Sequence, residues 1–279
     1  MREINANLIT DAVERLCIEA NCHLGDDVKK RIVESRDNET WQGARDILDK
    51  IIENYRIADS EGMPVCQDTG AACVFLRVGQ DVHINGNLTD AINEGVRRGY
   101  RDGYLRKSIV KDPLNRKNTG DNTPAMIYYD IVEGDKVEIT LAPKGFGSEN
   151  MSKIKMFNPS ASRQDIIDFV VDTVKSAGGN PCPPVVIGVG IGGTFDYCAV
   201  LAKKALTRAV SEGNSNSMYA KLEEDILSAL NETGVGPQGF GGKTTALGVN
   251  IEYYPTHIAG LPVAVNVNCH VARHAEAEI

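Results

Sequence analysis

The chain has 279 residues, 42% of them hydrophobic, enough to bury a sizeable core in one large domain or two small ones. A net charge of −8 with a pI near 5.2 excludes broad attraction to nucleic acid or an anionic membrane, while leaving room for a locally basic cleft. Arg2, Glu3, Asp11 and Glu14 interrupt the N-terminus, so no signal peptide is expected, and no apolar run is long enough to span a bilayer.

In chain order, the first sixty residues are predicted helical. Ile4, Leu8, Ile9, Ala12, Val13 and Leu16 recur at helix spacing, as do Trp41, Ala44, Ile47, Leu48, Ile51 and Tyr55. Gly62 and Pro64 end that pattern and open Pro64-Val65-Cys66-Gln67-Asp68-Thr69-Gly70. A strand follows from Ala71 to Val78, then a helix from about Leu88 to Arg106 and a polar loop from Lys111 to Pro124. Met126 to Val132 and Val137 to Leu141 are predicted as two strands joined by the turn Glu133-Gly134-Asp135. The glycine-rich stretch Lys144 to Asn150 precedes a helix at Arg163 to Ser176 and a short buried strand at Pro184 to Val189. Helices at Phe195 to Val210 and Ser217 to Glu232 lead through the loop Gly234 to Lys243 into closing strands at Ala246 to Tyr253 and Leu261 to Asn268. No repeat, linker or boundary is visible. The expectation is a single α+β domain over residues 1–279, with N-terminal helices to about residue 60 and then mixed sheets flanked by helices.

Two glycine motifs invite nucleotide readings. Gly188-Val189-Gly190-Ile191-Gly192-Gly193 fits the dinucleotide pattern between a strand and a helix, yet the second strand with its acidic residue is missing. Close packing of strand on helix explains these small residues more simply, which argues against a dinucleotide-dependent oxidoreductase. Gly236 to Thr244 looks like a phosphate loop, but Pro237 occupies the first glycine position and a helix precedes it. A tight turn is expected there.

Seven cysteines in a chain without a signal peptide point to a reducing, cytoplasmic setting. None forms a C-x-x-C pair, so zinc fingers and clustered ferredoxin ligation are disfavoured, and any metal site must be assembled from distant segments. Cys66, Cys182 and Cys269 sit where the chain changes direction; prolines flank Cys182, and Cys269 ends an apolar strand before His270. Cys17, Cys22, Cys73 and Cys198 read as buried structural thiols. Widely spaced cysteines are also commonly core residues, so the residues alone leave both readings of the first three open. His270 and His274, at i and i+4, lack a third ligand nearby, which argues against zinc.

Four segments together carry a resemblance: PVCQDTG at Pro64 to Gly70, NPCPPVVIGVGIGG at Asn180 to Gly193, GPQGFGGKTTALGV at Gly236 to Val249, and VNCH at Val267 to His270. Spread from about residue 40 to 274, they make the sequence resemble the α subunit of class I, iron–sulfur fumarate hydratases and the related L-tartrate dehydratases. The resemblance implies an α domain of that family's fold. It also implies a [4Fe–4S] cluster held by Cys66, Cys182 and Cys269, with one iron lacking a protein ligand. An iron with an open position acts as a Lewis acid, whereas a fully ligated cluster mainly moves electrons.

The same resemblance implies reversible hydration of fumarate to L-malate in the tricarboxylic acid cycle. L-tartrate dehydration is the alternative, and Lys144 to Asn150 resembles the fumarase form of its loop. Asp68 is the expected acid/base group, although Asp68-Thr69-Gly70 also suits a plain turn. Arg106 is the expected clamp for a substrate carboxylate, and Gln67 is expected to bind substrate or orient Asp68. His257 matches a family histidine near substrate. Gly145, Gly147 and Ser148 are expected to let the backbone approach it. A noncatalytic cluster-binding subunit is the third reading, opposed by the open iron and Asp68. Ile279 lies ten residues past Cys269, so a separate β subunit is expected to complete the site, with this chain a homodimer inside an α2β2 assembly.

Overall fold

The computed structural model describes all 279 residues, as two compact units interleaved along the chain. Its α+β architecture agrees with the sequence expectation. No helix is long and apolar enough to cross a membrane.

The first unit comprises Met1–Leu24, Tyr55–Phe146 and Arg273–Ile279. A strand unforeseen in the sequence, β1 (Arg2–Asn5), leads into α1 (Ala6–Cys22), whose first turn is capped by the Asn5 side chain accepting from Asn7 N–H at 2.9 Å. Helix α1 packs on α4 (Leu88–Asp102) at very short range: a Cβ on Gly99 would stand 2.6 Å from the Cβ of Cys17, so only glycine permits this approach. Beneath them lies a four-stranded sheet in the order β10 (Ala275–Glu278), β5 (Val137–Lys144), β2 (Ala71–Gly79), β4 (Met126–Val132). Its core joins Val13, Leu16, Val74, Leu76, Ile92, Val96, Tyr100, Ile139 and Leu141.

The expected hairpin between β4 and β5 does not form. Strand β2 inserts between them, parallel to β4 and antiparallel to β5. The run Ala71 to Leu76 is almost wholly buried and takes a hydrogen-bonding neighbour on each edge. Crossing two strand spacings requires about 10 Å, and the four residues Glu133 to Lys136 reach about 13 Å when extended. Asp81 N–H and Gln80 N–H close the crossing by donating to the carbonyls of Gly134 and Val132, at 2.9 and 2.8 Å.

The second unit comprises Gly25–Asn54 and Gly147–Ala272. It contains α2 (Asp26–Asn38), most of α3 (Gln42–Glu61) and a four-stranded sheet in the order β6 (Lys153–Phe157), β9 (Leu261–Asn268), β7 (Val185–Gly193), β8 (Ala246–Thr256). Strands β7 and β9 are buried on both faces, as the mainly apolar sequence of each requires, with Asn266 and Asn268 the buried polar residues of β9. Helices α6 (Arg163–Ala177), α7 (Phe195–Ala205) and α8 (Ser217–Asn231) cover this sheet. Helix α6 starts with a full capping box between Ser162 and Asp165.

The glycines of the dinucleotide-like motif explain themselves here. A Cβ on Gly188 or Gly190 would stand 2.0 Å from the carbonyl oxygen of Ala202 or Cys198 on α7. They exist so that helix and strand touch. The phosphate-loop look-alike is a tight turn: Lys243 donates its Nζ to the carbonyl of Asn38, and its N–H to the Glu39 carboxylate at 2.6 Å.

Candidate active-site segments

In the first unit the functional interest centres on the turn Cys66–Gly70, between α3 and β2. Backbone and side chains hold it from every side. Asn21 accepts Val65 N–H at 2.9 Å, and the Tyr100 hydroxyl, fully buried, reaches the carbonyls of Thr69 at 2.6 Å and Gly70 at 3.1 Å. Buried Asn122 donates to the Gly70 carbonyl at 3.1 Å while accepting Ser108 N–H at 2.6 Å. The Thr69 hydroxyl donates to the carbonyl of Arg106 at 3.0 Å, bringing the Arg106 segment against the turn. The Arg106 side chain itself is exposed and has no ion pair within the chain.

Asp68 lies at the centre of this network. One carboxylate oxygen accepts Gly70 N–H at 3.0 Å, the Asx turn foreseen in the sequence, and the other accepts Phe146 N–H at 2.9 Å. Its backbone N–H points to the Cys66 sulfur at 3.4 Å, and its carbonyl accepts from the Arg273 guanidinium at 2.6 Å. A carboxylate has about four acceptor sites, so two N–H bonds orient Asp68 and leave sites for a proton or a substrate. Gly145 faces it, and a Cβ there would press to 3.2 Å from Oδ2. Gln67 is exposed, and its side-chain oxygen lies 3.4 Å from the Cys66 sulfur.

In the second unit, Cys182 has φ of +54° between Pro181 and Pro183, a left-handed conformation that a non-glycine residue adopts only when its surroundings enforce it. Cys182 N–H donates to the Gly179 carbonyl at 3.0 Å. Its own carbonyl accepts from the backbone N–H and the ring Nδ1 of His270, the residue after Cys269. Gln238 reinforces the segment by donating both its backbone and its side-chain N–H to the Pro183 carbonyl, at 2.7 and 2.8 Å. His270 is therefore a brace for the Cys182 turn. His257 lies on the exposed turn between β8 and β9, where Nδ1 accepts Ala259 N–H at 3.1 Å, so the neutral ring carries its proton on Nε2. A Cβ on Gly147 would come no nearer than 3.9 Å to anything, so nothing in this structure demands glycine there.

All seven cysteines are thiols and none is in a disulfide. They divide by environment. Burial pushes the Cys17 and Cys198 thiols up, and does so at Cys22 despite the nearby positive charge of Arg273; Cys73 is buried as well. Cys66 and Cys269 are half-exposed and Cys182 is exposed. Metal binding requires thiolate, which burial in apolar surroundings opposes. Exposure therefore leaves the three turn cysteines freer than the four core ones to ionise, although no three Cys, His, Asp or Glu side chains are gathered in this structure as a metal site. The structure assigns Cys66 to the first unit and Cys182 and Cys269 to the second. No local motif in the sequence marks Arg273, Tyr100 or Asn122, and Gln238 stands in the Gly236 to Val249 segment without a role foreseen for it.

The family model described as fumarate hydratase (fumerase) matches residues 10–278. A putative L(+)-tartrate dehydratase subunit alpha from Methanocaldococcus jannaschii is 40% identical over 274 residues, covering 96% of each chain. The L(+)-tartrate dehydratase subunit alpha of Escherichia coli K12 is 30% identical over 270 residues, covering 96% of this chain and 89% of that one. The match spans nearly the whole chain, both units included, and its range takes in Cys66, Cys182 and Cys269: the chain belongs to the fumarate hydratase family of hydro-lyases.

Proposed function

We propose that this chain is the α subunit of an iron–sulfur hydro-lyase that interconverts fumarate and L-malate. The carrying observation is the braced Cys66–Gly70 turn, which presents a half-exposed thiol, an oriented carboxylate at Asp68 and the amide of Gln67 within three consecutive residues. Cys66, Cys182 and Cys269 would hold a [4Fe–4S] cluster, which would supply Lewis-acid activation of a hydroxyl leaving group.

The chain's own residues supply the rest. Asp68 exchanges a proton with the substrate through the acceptor sites its two N–H bonds leave open. The Arg106 guanidinium pairs with a substrate carboxylate in a bidentate fork. Gln67 donates an amide hydrogen to a substrate oxygen, and the His257 ring offers its Nε2 proton to the substrate. The backbone near Gly145 and Gly147 lets the dicarboxylate approach.

L(+)-tartrate is the second reading, favoured by the names of the relatives. Fumarate is placed first on the resemblance of the Lys144 to Asn150 segment to the fumarase form of that loop. The relatives' designation as α subunits supports a separate β subunit; completion of the site by that subunit, in an α2β2 assembly, is part of the same proposal. A dicarboxylate carries two negative charges, which Arg106 alone offsets only in part.

The test is anaerobic co-production with a β subunit and assay on fumarate, mesaconate and L(+)-tartrate. Turnover of fumarate above tartrate, absent from the α chain alone, is expected. Tartrate turnover without fumarate turnover moves the assignment to the second reading. Full activity of the α chain alone refutes the two-subunit site.

A further inference from the structure

Arg273 stands out among the buried polar residues of the first unit. Only 5% of its surface is exposed, yet no carboxylate pairs with it. One nitrogen, Nη2, donates to the backbone carbonyl of Asp68 at 2.6 Å, while the buried Nε and Nη1 have no hydrogen-bond partner. A buried unsatisfied donor costs about 1–3 kcal/mol, and a buried charge without a counter-ion costs more. Apolar residues of similar volume would avoid that cost. A role limited to filling space therefore does not account for this side chain.

What Arg273 holds is specific. The Asp68 carbonyl belongs to the one residue of the turn whose carboxylate is fixed by two other N–H groups, those of Gly70 and Phe146. With its carbonyl anchored from one side and its carboxylate from the other, Asp68 has little freedom to rotate. Arg273 sits at the start of the segment that forms β10, and β10 pairs with β5, the strand that delivers Lys144, Gly145 and then Phe146 to the Asp68 carboxylate. Arg273 thus lies two residues before β10 and Phe146 two residues after β5, its neighbour in the sheet. A cation within hydrogen-bond distance of the carbonyl makes the stronger, charge-assisted kind of bond.

We propose that Arg273 is a positioning residue: it clamps the backbone of Asp68 so that the Asp68 carboxylate keeps one orientation toward the substrate. This rests on the functional reading above for its catalytic consequence, but the clamp itself is a property of the chain alone.

Two measurements on the full chain test it, with Arg273→Met removing the donor and the charge and Arg273→Lys keeping both on a shorter side chain. The first is amide hydrogen exchange. In Arg273→Met the amides of Gly70 and Phe146 exchange about tenfold faster or more, because local opening of the turn becomes easier. Amides in the interior of α1 and β2 stay unchanged, and Arg273→Lys recovers most of the protection. The second is steady-state kinetics of the cluster-loaded αβ enzyme, where Arg273→Met lowers kcat roughly 10- to 100-fold with KM little changed, the signature of lost orientation rather than lost binding, and Arg273→Lys restores much of it.

Wild-type exchange at Gly70 and Phe146 in Arg273→Met overturns the clamp. So does uniform acceleration across the unit, which marks a general stabiliser, and so does failure of lysine to rescue. If the wild-type enzyme turns over no dicarboxylate, the functional reading fails while the exchange result still decides the clamp.

Discussion

The carbonyl oxygen of Cys182 accepts two hydrogen bonds from His270, one from the backbone N–H at 3.3 Å and one from ring Nδ1 at 2.9 Å. Because His270 follows Cys269 directly, this pair of hydrogen bonds ties the turn carrying one proposed ligand to the strand end carrying another. Donation from Nδ1 to a carbonyl requires the proton on that nitrogen, which sets the tautomer of His270. A ring engaged in this way is committed to bracing and is not offered to a metal through Nδ1.

Cluster ligation predicts a division among the cysteines. Cys66→Ser, Cys182→Ser and Cys269→Ser each lose the cluster, while Cys17→Ser and Cys73→Ser retain it, because burial already disfavours the thiolate in the core. Iron and sulfide content after anaerobic reconstitution checks this. A Cys182→Ser protein with full iron content refutes the ligand assignment.

Asp68→Asn is expected to lower turnover about 100-fold or more at full cluster content, as loss of a general acid or base does. The structure adds a second consequence. An amide has one accepting oxygen, so the N–H groups of Gly70 and Phe146 cannot both keep their bonds, and the turn loosens as well. Steady-state kinetics with iron quantified in the same sample is the measurement. Turnover near that of the wild type would leave Asp68 as a turn residue alone.

Tyr100→Phe removes a fully buried hydroxyl that serves two carbonyls. Gly70 keeps a bond from Asn122, but Thr69 loses the 2.6 Å bond to its carbonyl inside the protein. A loss of about 1–3 kcal/mol in stability is expected, read as a lower denaturant midpoint for the cluster-free chain. An unchanged midpoint would show that water replaces the hydroxyl.

Gly190→Ala places a Cβ 2.0 Å from the Cys198 carbonyl, where the obstacle is helix backbone rather than a movable side chain. Overpacking of this kind costs about 1–3 kcal/mol or more, so the variant is expected to melt several degrees lower or fail to accumulate in soluble form. NAD should leave the wild-type melting temperature unmoved, since these glycines serve helix–strand contact. A saturable NAD-dependent rise in Tm would reopen the dinucleotide reading.

Several features of this protein were determined by sequence alone, because they depend on chemistry carried by neighbouring residues. Helix and strand identities follow from the spacing of apolar side chains, and β7, α6, α8 and β9 end within a few residues of their predicted limits. The Asx turn at Asp68 and the constrained backbone at Cys182 follow from Asp-Thr-Gly and from flanking prolines. The grouping of turn cysteines against core cysteines was likewise readable, since proline and glycine on one side and apolar periodicity on the other are local signals. Only tertiary structure decided that β2 separates β4 from β5, because strand partners are chosen by which edges remain to be buried, not by which strands adjoin in sequence. It alone placed Arg273 on a carbonyl 205 residues earlier and His270 on one 88 residues earlier. Those bonds go to backbone carbonyls, which every residue possesses, so no side-chain pattern in the sequence announces them.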